Sequence, residues 1–254
     1  MFSWRSPRSL PLLVAHRGSS TLAPENTLAA FQRALTDGAD AIELDVRLSH
    51  DGEAVVIHDA RLERTTDGRG RVKDCSLEEL KRLSAGAWFH KRFSSERIPT
   101  LDDVFECIGG KMGVNIEIKT EPSRRLTGEI VERCIHVVRR HRASGYVMIS
   151  SFHHPFVNYA KALDPGITAG VLYHPVRHYR RSAGVLVAAA NADFFICHRN
   201  AIWGKNIRRI HKNGYLVGVY TVDTKKSLER MLGMGVDCVF SNDPGKMKRE
   251  LIRK

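Results

Sequence analysis

The sequence predicts a single (β/α)8 barrel, the TIM-barrel fold. Short apolar runs rich in β-branched residues alternate with longer stretches of helical periodicity, and this order of strand then helix occurs eight times. The chain has 254 residues, and one such barrel typically fills about 250. The eightfold alternation favours a closed barrel over a doubly wound open sheet or two small domains.

Eight runs of four to six residues have the composition of buried parallel strands. The predicted strands are Leu12–Ala15, Ala41–Val46, Gly113–Ile118, Tyr146–Ser150, Thr168–Leu172, Asp193–Cys197, Leu216–Thr221 and Cys238–Ser241.

A segment of helical periodicity follows each strand. The predicted helices are Thr27–Thr36, Leu101–Cys107, Thr127–Arg140, Pro155–Leu163, Ala183–Ala189, Asn206–Lys212, Lys225–Gly233 and Gly245–Ile252. Glycines such as Gly38, Gly214 and Gly235 come just after helical segments, where a left-handed C-terminal cap is common.

The segment from Glu53 to Ser95 interrupts the alternation after the second strand. Asp51-Gly52 is a hairpin turn signal, so Ala54–Ile57 is expected to fold back on that strand, and Leu77–Leu83 is expected to be a helix. We interpret this segment as a small hairpin and helix insertion. Residues 1–11 are predicted to be an N-terminal extension and residues 12–254 a single domain.

Bulk composition is that of an ordinary soluble protein. Hydrophobic residues make up 43% of the chain, and no apolar run approaches the length of a membrane span. The five cysteines are widely spaced and form no CxxC pair, which argues against a disulfide framework or a zinc site. No signal peptide pattern is present, and we expect a cytoplasmic protein. The net charge of +12 favours phosphate-bearing ligands without choosing among them.

Acidic residues interrupt two strands that otherwise look buried. Glu43 and Asp45 are two residues apart in the second strand, so their side chains share one face. Glu117 and Lys119 repeat this arrangement in the third strand. Because buried charges are normally paired or bound to metal, the two strands predict a divalent cation site.

Further polar residues lie where strands end. His16-Arg17-Gly18 ends the first strand, His58-Asp59 follows the hairpin, and Ser150-Ser151-Phe152 ends the fourth strand. TIM-barrel enzymes carry their chemistry at the carboxyl ends of the strands. These clusters are therefore expected to converge on one site.

Taken together, these motifs resemble the glycerophosphodiester phosphodiesterase family, most closely its cytoplasmic bacterial-type members. The matching strings follow one another over nearly the whole chain. They are His16-Arg17-Gly18, Ala23-Pro24-Glu25-Asn26-Thr27, Glu43-Leu44-Asp45-Val46, Val56-Ile57-His58-Asp59, Leu62-Glu63-Arg64-Thr65-Thr66, Asn115-Ile116-Glu117-Ile118-Lys119, Tyr220-Thr221-Val222-Asp223 and Gly235-Val236-Asp237.

The resemblance implies metal-dependent hydrolysis of a glycerophosphodiester to glycerol 3-phosphate and an alcohol. It assigns Glu43, Asp45 and Glu117 to one divalent cation, Mg2+ or Ca2+, which hard oxygen ligands suit. His16 and His58 would be general acid and base, in either order. Arg17 and Lys119 would hold the phosphate oxygens. The attacking oxygen is either water or the substrate's own glycerol hydroxyl, which would give a cyclic phosphate.

Five further residues are possible neighbours of the site: Glu25, Asn26, Asn115, Phe152 and Tyr220. Asn26 fits a site role and the N-cap of the first helix equally well. Asp59 would orient His58 or belong to the hairpin alone, Trp88 would wall the pocket or pack, and Arg64 would serve the site or a loop salt bridge.

The chain departs from the family pattern at two places. Tyr220 and Asp223 stand in a motif that often reads Trp-Thr-Val-Asn, and Ser241-Asn242-Asp243 replaces the usual Thr-Asp near the last strand. Asp223 would place a negative charge near the rim. These departures leave substrate preference open rather than reaction class.

Two other functions remain as alternatives. One is a lysophospholipase D-type reaction on lysophospholipids, although no amphipathic or transmembrane anchor is evident. The other is a non-catalytic protein that binds phosphorylated ligands or nucleic acid through its basic surface. We expect a small-molecule glycerophosphodiester as the partner, with no nucleic acid and no stable membrane anchor, because no nucleic-acid motif is present.

Overall fold

A computed structural model describes residues 2–6, 11–121 and 128–252 of the chain. The strands are β1 Leu12–His16, β2 Ala41–Leu48, β3 Ala54–Val56, β4 Gly113–Ile118, β5 Val147–Ser151, β6 Thr168–Leu172, β7 Phe194–His198, β8 Leu216–Tyr220 and β9 Cys238–Ser241. The helices are α1 Leu28–Thr36, α2 Leu77–Arg82, α3 Leu101–Ile108, α4 Glu129–Arg140, α5 His154–Leu163, α6 Ala183–Ala189, α7 Gly204–Lys212, α8 Lys225–Met234 and α9 Pro244–Ile252.

Eight parallel strands close into a barrel, which confirms the predicted fold. Each of β1, β2 and β4 to β9 pairs in parallel with its neighbours, and the ring closes because β1 pairs with both β2 and β9. In this register Glu43 lies opposite Asn115, and Asp45 lies opposite Glu117. His16 is in turn the register partner of Glu43. The predicted site residues therefore occupy adjacent strands at similar heights.

The predicted strands and helices agree with the observed ones to within two residues at each described end. The start of the predicted helix Thr127–Arg140 lies outside the described residues, and the described helix α4 begins at Glu129. Two short 3-10 helices, Val72–Asp74 and Lys91–Phe93, were not predicted. Within the described part of the chain, no helix is both long and apolar enough to span a membrane.

Local sequence explains where several helices begin and end. The side chains of Thr100 and Thr224 accept hydrogen bonds from backbone N–H groups in the first turns of α3 and α8. Gly109 and Gly235 are the C-cap residues after α3 and α8, and both adopt the left-handed conformation that glycine adopts without strain.

The insertion after β2 folds as expected. Strand β3 pairs antiparallel with the end of β2, after a turn at Gly52 with a positive φ of 81°. Helix α2 begins with a capping box between Ser76 and Glu79. Val55, Leu62 and Leu80 bury their side chains in a small apolar cluster beneath this segment. The insertion thereby holds His58 beside the mouth of the barrel.

The barrel interior is apolar at its lower end and polar at its upper end. Leu12, Val14, Met148 and Phe194 are among the inward side chains that fill the lower part. Two larger apolar layers lie between the strands and the surrounding helices. The polar residues of the upper end are therefore held by strands that are fixed on both faces.

Residues near the N-terminus close the lower end of the barrel. Trp4 is only 3% exposed, and its ring lies 6.2 Å from that of Phe194 in an edge-on contact. Its indole Nε1 donates a hydrogen bond to the backbone oxygen of Tyr146 at 3.0 Å. The ring of Phe2 packs edge-on against Trp4, with centroids 5.1 Å apart. Part of the predicted N-terminal extension thus packs against the barrel core.

Candidate active site

A cavity of about 250 Å3 opens at the carboxyl end of the barrel strands. It is lined by residues from all eight barrel strands or the segments that follow them, and by His58 after β3. Nine of the twelve site residues predicted from the sequence lie on its wall: His16, Arg17, Glu43, His58, Asn115, Glu117, Lys119, Phe152 and Tyr220. The structure therefore brings together positions that span most of the chain.

Glu43, Asp45 and Glu117 form a compact group of buried carboxylates. One oxygen from each lies within 4.8 Å of the others, so that the three could hold a metal ion. Their burial follows from the strands: Glu43 and Asp45 point into the barrel from β2, and Glu117 points inward from β4. Asp45 lies behind the cavity wall with 1% of its surface exposed.

The protonation of this group shows how strongly its charges interact. Burial, with the neighbouring Asp45 and Glu117, raises the pKa of Glu43 well above its usual value. Burial also raises the pKa of Glu117, although Lys119 opposes it. Burial alone would raise the pKa of Asp45 as well, but Lys119 and Arg17 outweigh it and lower that pKa. The group thus has a deficit of positive charge that a cation would relieve.

The two cations of the site contact these acids directly. Lys119 Nζ lies 2.8 Å from Asp45 Oδ1 and also donates a hydrogen bond to Glu117. Arg17 Nη1 donates to Glu25 Oε1 at 2.9 Å, and its Nε lies 3.3 Å from Asp45 Oδ2. Both cations therefore lie at the cavity wall beside the acids.

A tight turn after β1 directs Arg17 into the site. Arg17 has a φ of 57°, and Gly18 follows with a φ of 81°. A Cβ atom at Gly18 would lie 2.7 Å from the backbone of Ala30, so only glycine fits against helix α1. The turn also aims the backbone N–H of Arg17 at Glu43 Oε2, at 2.9 Å.

Asn26 is a partner of Asp45 and not the N-cap of α1. Its Nδ2 donates to Asp45 Oδ2 at 2.8 Å, and its Oδ1 accepts from the backbone N–H of Asp45 at 3.2 Å. Thr27 is the N-cap residue, since its hydroxyl accepts from Ala30 N. Of the two alternatives for Asn26, the capping one is wrong by one residue. These two hydrogen bonds hold the buried Asp45 in position.

His16 is held by a chain of two hydrogen bonds. Its Nδ1 lies 2.7 Å from Asn242 Oδ1. The amide Nδ2 of Asn242 donates to Asp223 Oδ2 at 2.9 Å, so Oδ1 is the acceptor that faces the histidine. His16 must then carry its proton on Nδ1, and Nε2 is left with its lone pair, 4.0 Å from Glu43 Oε2. Burial, followed by the charge of Arg17, lowers the pKa of His16 to about 4.

Asp223 turns toward this chain of contacts. Its carboxylate accepts hydrogen bonds from Ser241 Oγ, from the backbone N–H of Asn242 and from Asn242 Nδ2, at 2.7 to 2.9 Å. The two departures from the family pattern, in the segments after β8 and β9, thus contact each other. Asn242 was not predicted as a site residue, because its role depends on a contact with His16 across 226 positions of sequence.

His58 has a different partner. Its Nδ1 lies 2.6 Å from Asp59 Oδ1, and Asp59 Oδ2 accepts from Arg64 Nε at 2.6 Å. The hydrogen bond from Arg64 lowers the pKa of Asp59 to about 2, so that Asp59 is a carboxylate and His58 Nδ1 is the donor. Burial lowers the pKa of His58, while Asp45 and Asp59 oppose that shift.

Arg64 joins the two sides of the mouth. Besides Asp59, it donates two hydrogen bonds to Glu25, at 2.8 and 2.9 Å, and Glu25 also accepts from Arg17. The chain of contacts from Arg17 through Glu25 and Arg64 to Asp59 links both histidine loops. Of the two alternatives left for Arg64, its contact with Asp59 connects it to the site as well as to a loop.

Aromatic and aliphatic side chains form the rest of the wall. Phe152, Leu172, Ile196, Tyr220 and Phe240 line the cavity opposite the acids. Trp88 is 42% exposed on the insertion and is not among the lining residues. The packing alternative for Trp88 therefore fits the structure better than a place in the wall.

The donor atoms fit a hard divalent cation. Besides the three carboxylates, Asn115 Oδ1 is buried and has no hydrogen-bond partner among the residues that the structure describes. Asn115 lies opposite Glu43 in the sheet register. A cluster of carboxylate and amide oxygens with no sulfur ligand suits Mg2+ or Ca2+.

Comparison with known proteins identifies relatives over nearly the whole chain. The model of the glycerophosphoryl diester phosphodiesterase family matches residues 16–246. A glycerophosphodiester phosphodiesterase of Caldanaerobacter subterraneus subsp. tengcongensis is 42% identical over 236 residues, which cover 92% of this chain and 94% of the relative. A glycerophosphodiester phosphodiesterase of Bacillus subtilis is 30% identical over 252 residues, covering 92% and 84%.

Solved structures include relatives of the same shape. A phosphodiesterase of Oleispira antarctica, in complex with the product sn-glycerol-3-phosphate, superimposes with a TM-score of 0.89 at 33% identity and covers 96% of this chain and 97% of its own. A glycerophosphodiester phosphodiesterase of Agrobacterium tumefaciens has a TM-score of 0.81 at 30% identity, with 93% and 98% covered.

Proposed function

The chain belongs to the glycerophosphoryl diester phosphodiesterase family, and we propose that it hydrolyses small glycerophosphodiesters to glycerol 3-phosphate and an alcohol. The observation that carries the proposal is the meeting of two histidines, each fixed through Nδ1, with three clustered carboxylates and two cations around one cavity. The Oleispira antarctica relative supports it, because that protein was solved with sn-glycerol-3-phosphate as its product. This arrangement favours an enzyme over a non-catalytic phosphate- or nucleic-acid-binding protein.

Glu43, Asp45 and Glu117, with Asn115 Oδ1 beside them, are the residues proposed to hold one Mg2+ or Ca2+ ion. The ion, when bound, would supply positive charge to a phosphate oxygen and so offset the charge that develops during cleavage. Arg17 and Lys119 are proposed to bind the remaining phosphate oxygens. Both side chains reach the cavity wall from the strand ends.

The hydrogen bonds of the two histidines suggest distinct roles. His16 donates through Nδ1 to a neutral amide and presents the lone pair of Nε2, as a general base requires. His58 donates through Nδ1 to the carboxylate of Asp59, which stabilises the imidazolium form needed by a general acid. We therefore assign the base to His16 and the acid to His58.

One proton moves to His16 and one leaves His58 during cleavage. His16 Nε2 takes the proton of the attacking hydroxyl group while its oxygen forms a bond to phosphorus. The bond from phosphorus to the departing alcohol oxygen breaks, and His58 gives that oxygen the proton of Nε2. A water attacker yields glycerol 3-phosphate directly, whereas attack by the substrate's own hydroxyl yields a cyclic phosphate that a second cycle opens.

The test is release of glycerol 3-phosphate from glycerophosphocholine by protein stripped of metal, with Mg2+, Ca2+ or no metal added back. We expect metal-dependent release that is lost in His16→Ala and retained in the matched control His136→Ala, which changes an exposed histidine on α4. Equal release by wild type and His16→Ala would refute the assigned site. Detection of a cyclic phosphate during turnover by the wild-type protein would show that the substrate's own hydroxyl group is the attacker.

The lysophospholipid alternative keeps the same site and changes only the substrate. Its glycerol carries one acyl chain, which would have to lie along the apolar wall near Leu172 and Ile196. The cytoplasmic location and the substrate head group stay predictions from the sequence.

A further inference from the structure

A surface that is both apolar and basic lies beside the mouth of the cavity. We call it the β6–β7 surface and define it as the exposed side chains of residues 173–185 and 199–209, which follow β6 and β7. Four large hydrophobic side chains stand out of it. Their exposed fractions are 78% for Val176, 71% for Tyr179, 60% for Val185 and 57% for Trp203. Exposed hydrophobic side chains that cluster on one surface often mark a binding site.

The charge of this region has one sign. Residues 173–215 contain eight arginines and lysines and one acid, Asp193. This segment therefore carries +7 of the +12 net charge of the chain, His taken as neutral. Asp193 precedes β7 at the opposite end of the barrel, where its carboxylate accepts from Ala169 N at 2.9 Å and pairs with Lys161 at 3.3 Å. The β6–β7 surface itself is thus formed with basic and not acidic side chains.

In the segment after β6, the inward packing of His178 turns Val176 and Tyr179 toward solvent. His178 is buried, and its Nδ1 accepts a hydrogen bond from the backbone N–H of His174 at 2.9 Å. Its ring stacks on that of His154, with centroids 4.3 Å apart. Because His178 faces inward, Val176 and Tyr179 on either side of it face solvent. Arg180 lies over the ring of Tyr179, 5.4 Å from its centroid.

A groove continues the surface between α6 and α7. It has a volume of about 580 Å3, and Val185, Trp203 and Ile210 line it together with Arg181 and Arg209. Apolar side chains and guanidinium groups therefore share one concave site. An amphipathic ligand with an anionic group and a hydrocarbon part would satisfy both.

The surface is continuous with the rim of the active-site cavity. Leu172 and Ile196 line the cavity, and the exposed loop begins at the residues after Leu172. The ring of His174 lies 6.4 Å from that of Phe152, which is part of the cavity wall. A partner bound at the β6–β7 surface would therefore lie next to the entrance.

We propose that the β6–β7 surface docks the protein reversibly on bilayers that contain anionic phospholipids, with the cavity entrance facing the lipid. Arginines attract the anionic head groups, while Val176, Val185, Tyr179 and Trp203 enter the interface. A second copy of the chain does not fit as the occupant, because two surfaces of the same charge repel each other. Nucleic acid would use the arginines but leaves the valines and the apolar groove unexplained.

A consequence concerns the substrate and rests on the proposed function. A docked enzyme would reach phosphodiesters that reside in the membrane, and the class with a glycerophosphodiester head and one acyl chain is the lysophospholipids. Docking itself does not depend on catalysis, so the two can be measured separately.

The test is co-sedimentation of the full-length protein with vesicles of phosphatidylglycerol and phosphatidylcholine, compared with vesicles of phosphatidylcholine alone. We expect binding to the anionic vesicles only, weakened by salt. The triple change Arg177→Glu, Arg180→Glu and Arg181→Glu should weaken it at least about tenfold. The matched control Lys111→Glu, Arg139→Glu and Arg142→Glu alters the same charge at exposed positions of the opposite barrel end and should bind nearly as wild type.

A second variant separates lipid insertion from charge attraction. Val176→Ser with Trp203→Ser keeps every charge and should also lose binding, while its hydrolysis of glycerophosphocholine stays unchanged. Absence of binding by the wild type, or equal loss in both charge triples, would overturn the docking surface. The proposal would also be overturned if the protein bound duplex DNA more tightly than vesicles and if the double change Val176→Ser with Trp203→Ser did not alter that DNA binding. If glycerophosphocholine is not hydrolysed while docking is observed, the proposed function fails and the surface stands.

Discussion

Asn242 accepts a hydrogen bond from Nδ1 of His16 across 2.7 Å, and through this contact the segment after β9 determines which nitrogen of His16 faces the cavity. The amide of Asn242 cannot turn over without placing its NH2 group against His16 and its oxygen against the carboxylate of Asp223. Asp223 therefore fixes the orientation of the Asn242 amide, and that orientation fixes the tautomer of His16.

Replacing Asn242 tests this relationship. In Asn242→Ala, His16 loses the acceptor for its Nδ1 proton, and we expect kcat for glycerophosphocholine to fall by about 10- to 100-fold with little change in KM. Histidine 15N chemical shifts should show His16 changing from one tautomer to a mixture. Wild-type kcat together with an unchanged 15N spectrum would contradict the assignment.

An exchange variant provides a stricter control. Asn242→Asp combined with Asp223→Asn keeps one amide and one carboxylate but places the carboxylate against His16. The pKa of His16 should rise, because a negative charge favours the imidazolium form. The acid limb of the kcat profile should therefore move to higher pH than in the wild type, in which the base must be neutral.

The proposed roles of the two histidines predict that only the His58 variant depends on the leaving group. In His58→Ala, hydrolysis of glycerophosphocholine should fall by about 10^2- to 10^4-fold, because no acid protonates the departing choline oxygen. A glycerophosphodiester with a p-nitrophenol leaving group does not need that proton and should be cleaved at close to the wild-type rate. His16→Ala should be impaired on both substrates. The reverse pattern would exchange the two roles.

Glu43→Gln should separate stability from metal binding. The pKa of Glu43 is raised by burial and by Asp45 and Glu117, so a neutral amide replaces a group that resists ionisation. With a chelator present to remove metal, the free energy of unfolding of Glu43→Gln should stay within about 1 kcal/mol of the wild-type value. Added Mg2+ should stabilise the wild type but not the variant. Denaturant titrations measure both, and Glu106→Gln on α3 is the exposed control.

Stability should fall in mild acid partly through His178. Burial, followed by the charges of His154 and His174, lowers the pKa of His178 to about 4 in the folded state, against 6.5 for the free side chain. The unfolded chain therefore binds a proton that the folded chain does not between pH 6.5 and 4. Stability is full above this window and is lost as the pH falls through it, by up to about 1.4 kcal/mol per pH unit for one group.

His178→Asn should flatten this dependence without abolishing it, since the pKa of His16 is lowered to about 4 as well. Urea midpoints measured from pH 7 to pH 4 provide the comparison. The charged or titratable side chains around His178 are His154, His174, Arg177 and Arg181. The control His136→Asn, on the exposed face of α4, should show the same change of urea midpoint with pH as the wild type. The same change in His178→Asn would show that His178 does not contribute.

Trp4→Ala should destabilise the fold without lowering the rate of catalysis. The indole is buried against Phe194 and bonded to Tyr146, so its loss should cost about 3 kcal/mol of unfolding free energy. Because Trp4 lies at the end of the barrel opposite the cavity, kcat and KM at low temperature should remain those of the wild type. Trp203→Ala removes an exposed indole and should cost less than about 0.5 kcal/mol. A loss of less than about 0.5 kcal/mol in Trp4→Ala would show that the closure at Trp4 adds no stability.

The barrel could be predicted from the sequence because its pattern is local. Runs such as Gly113–Ile118 and Thr168–Leu172 consist mainly of apolar residues, as strands covered on both faces do, and their bounds agree with the structure. The acids of the site were found for the same reason. A carboxylate such as Glu43 or Glu117 inside an apolar run is conspicuous, and the alternation of a strand shows which neighbours share its face.

The contacts that set protonation could not be predicted in this way. His16 and Asn242 are 226 residues apart, and their hydrogen bond depends on β1 and β9 becoming neighbours when the barrel closes. The link from Arg64 to Glu25 and Asp59 depends on how an irregular insertion crosses the mouth. Neither contact has a local periodicity. The exact N-cap of α1 was misassigned as an alternative for Asn26 because two adjacent residues both have capping side chains.

The position of Trp4 has a consequence for how the chain is made. The indole packs against Phe194 and donates to the oxygen of Tyr146, residues that leave the ribosome long after it. Trp4 therefore cannot reach its final contacts until β7, which contains Phe194, has been synthesised. During translation this large apolar side chain lacks its final contacts until β7 has emerged, and for that interval it is exposed to contacts with other surfaces.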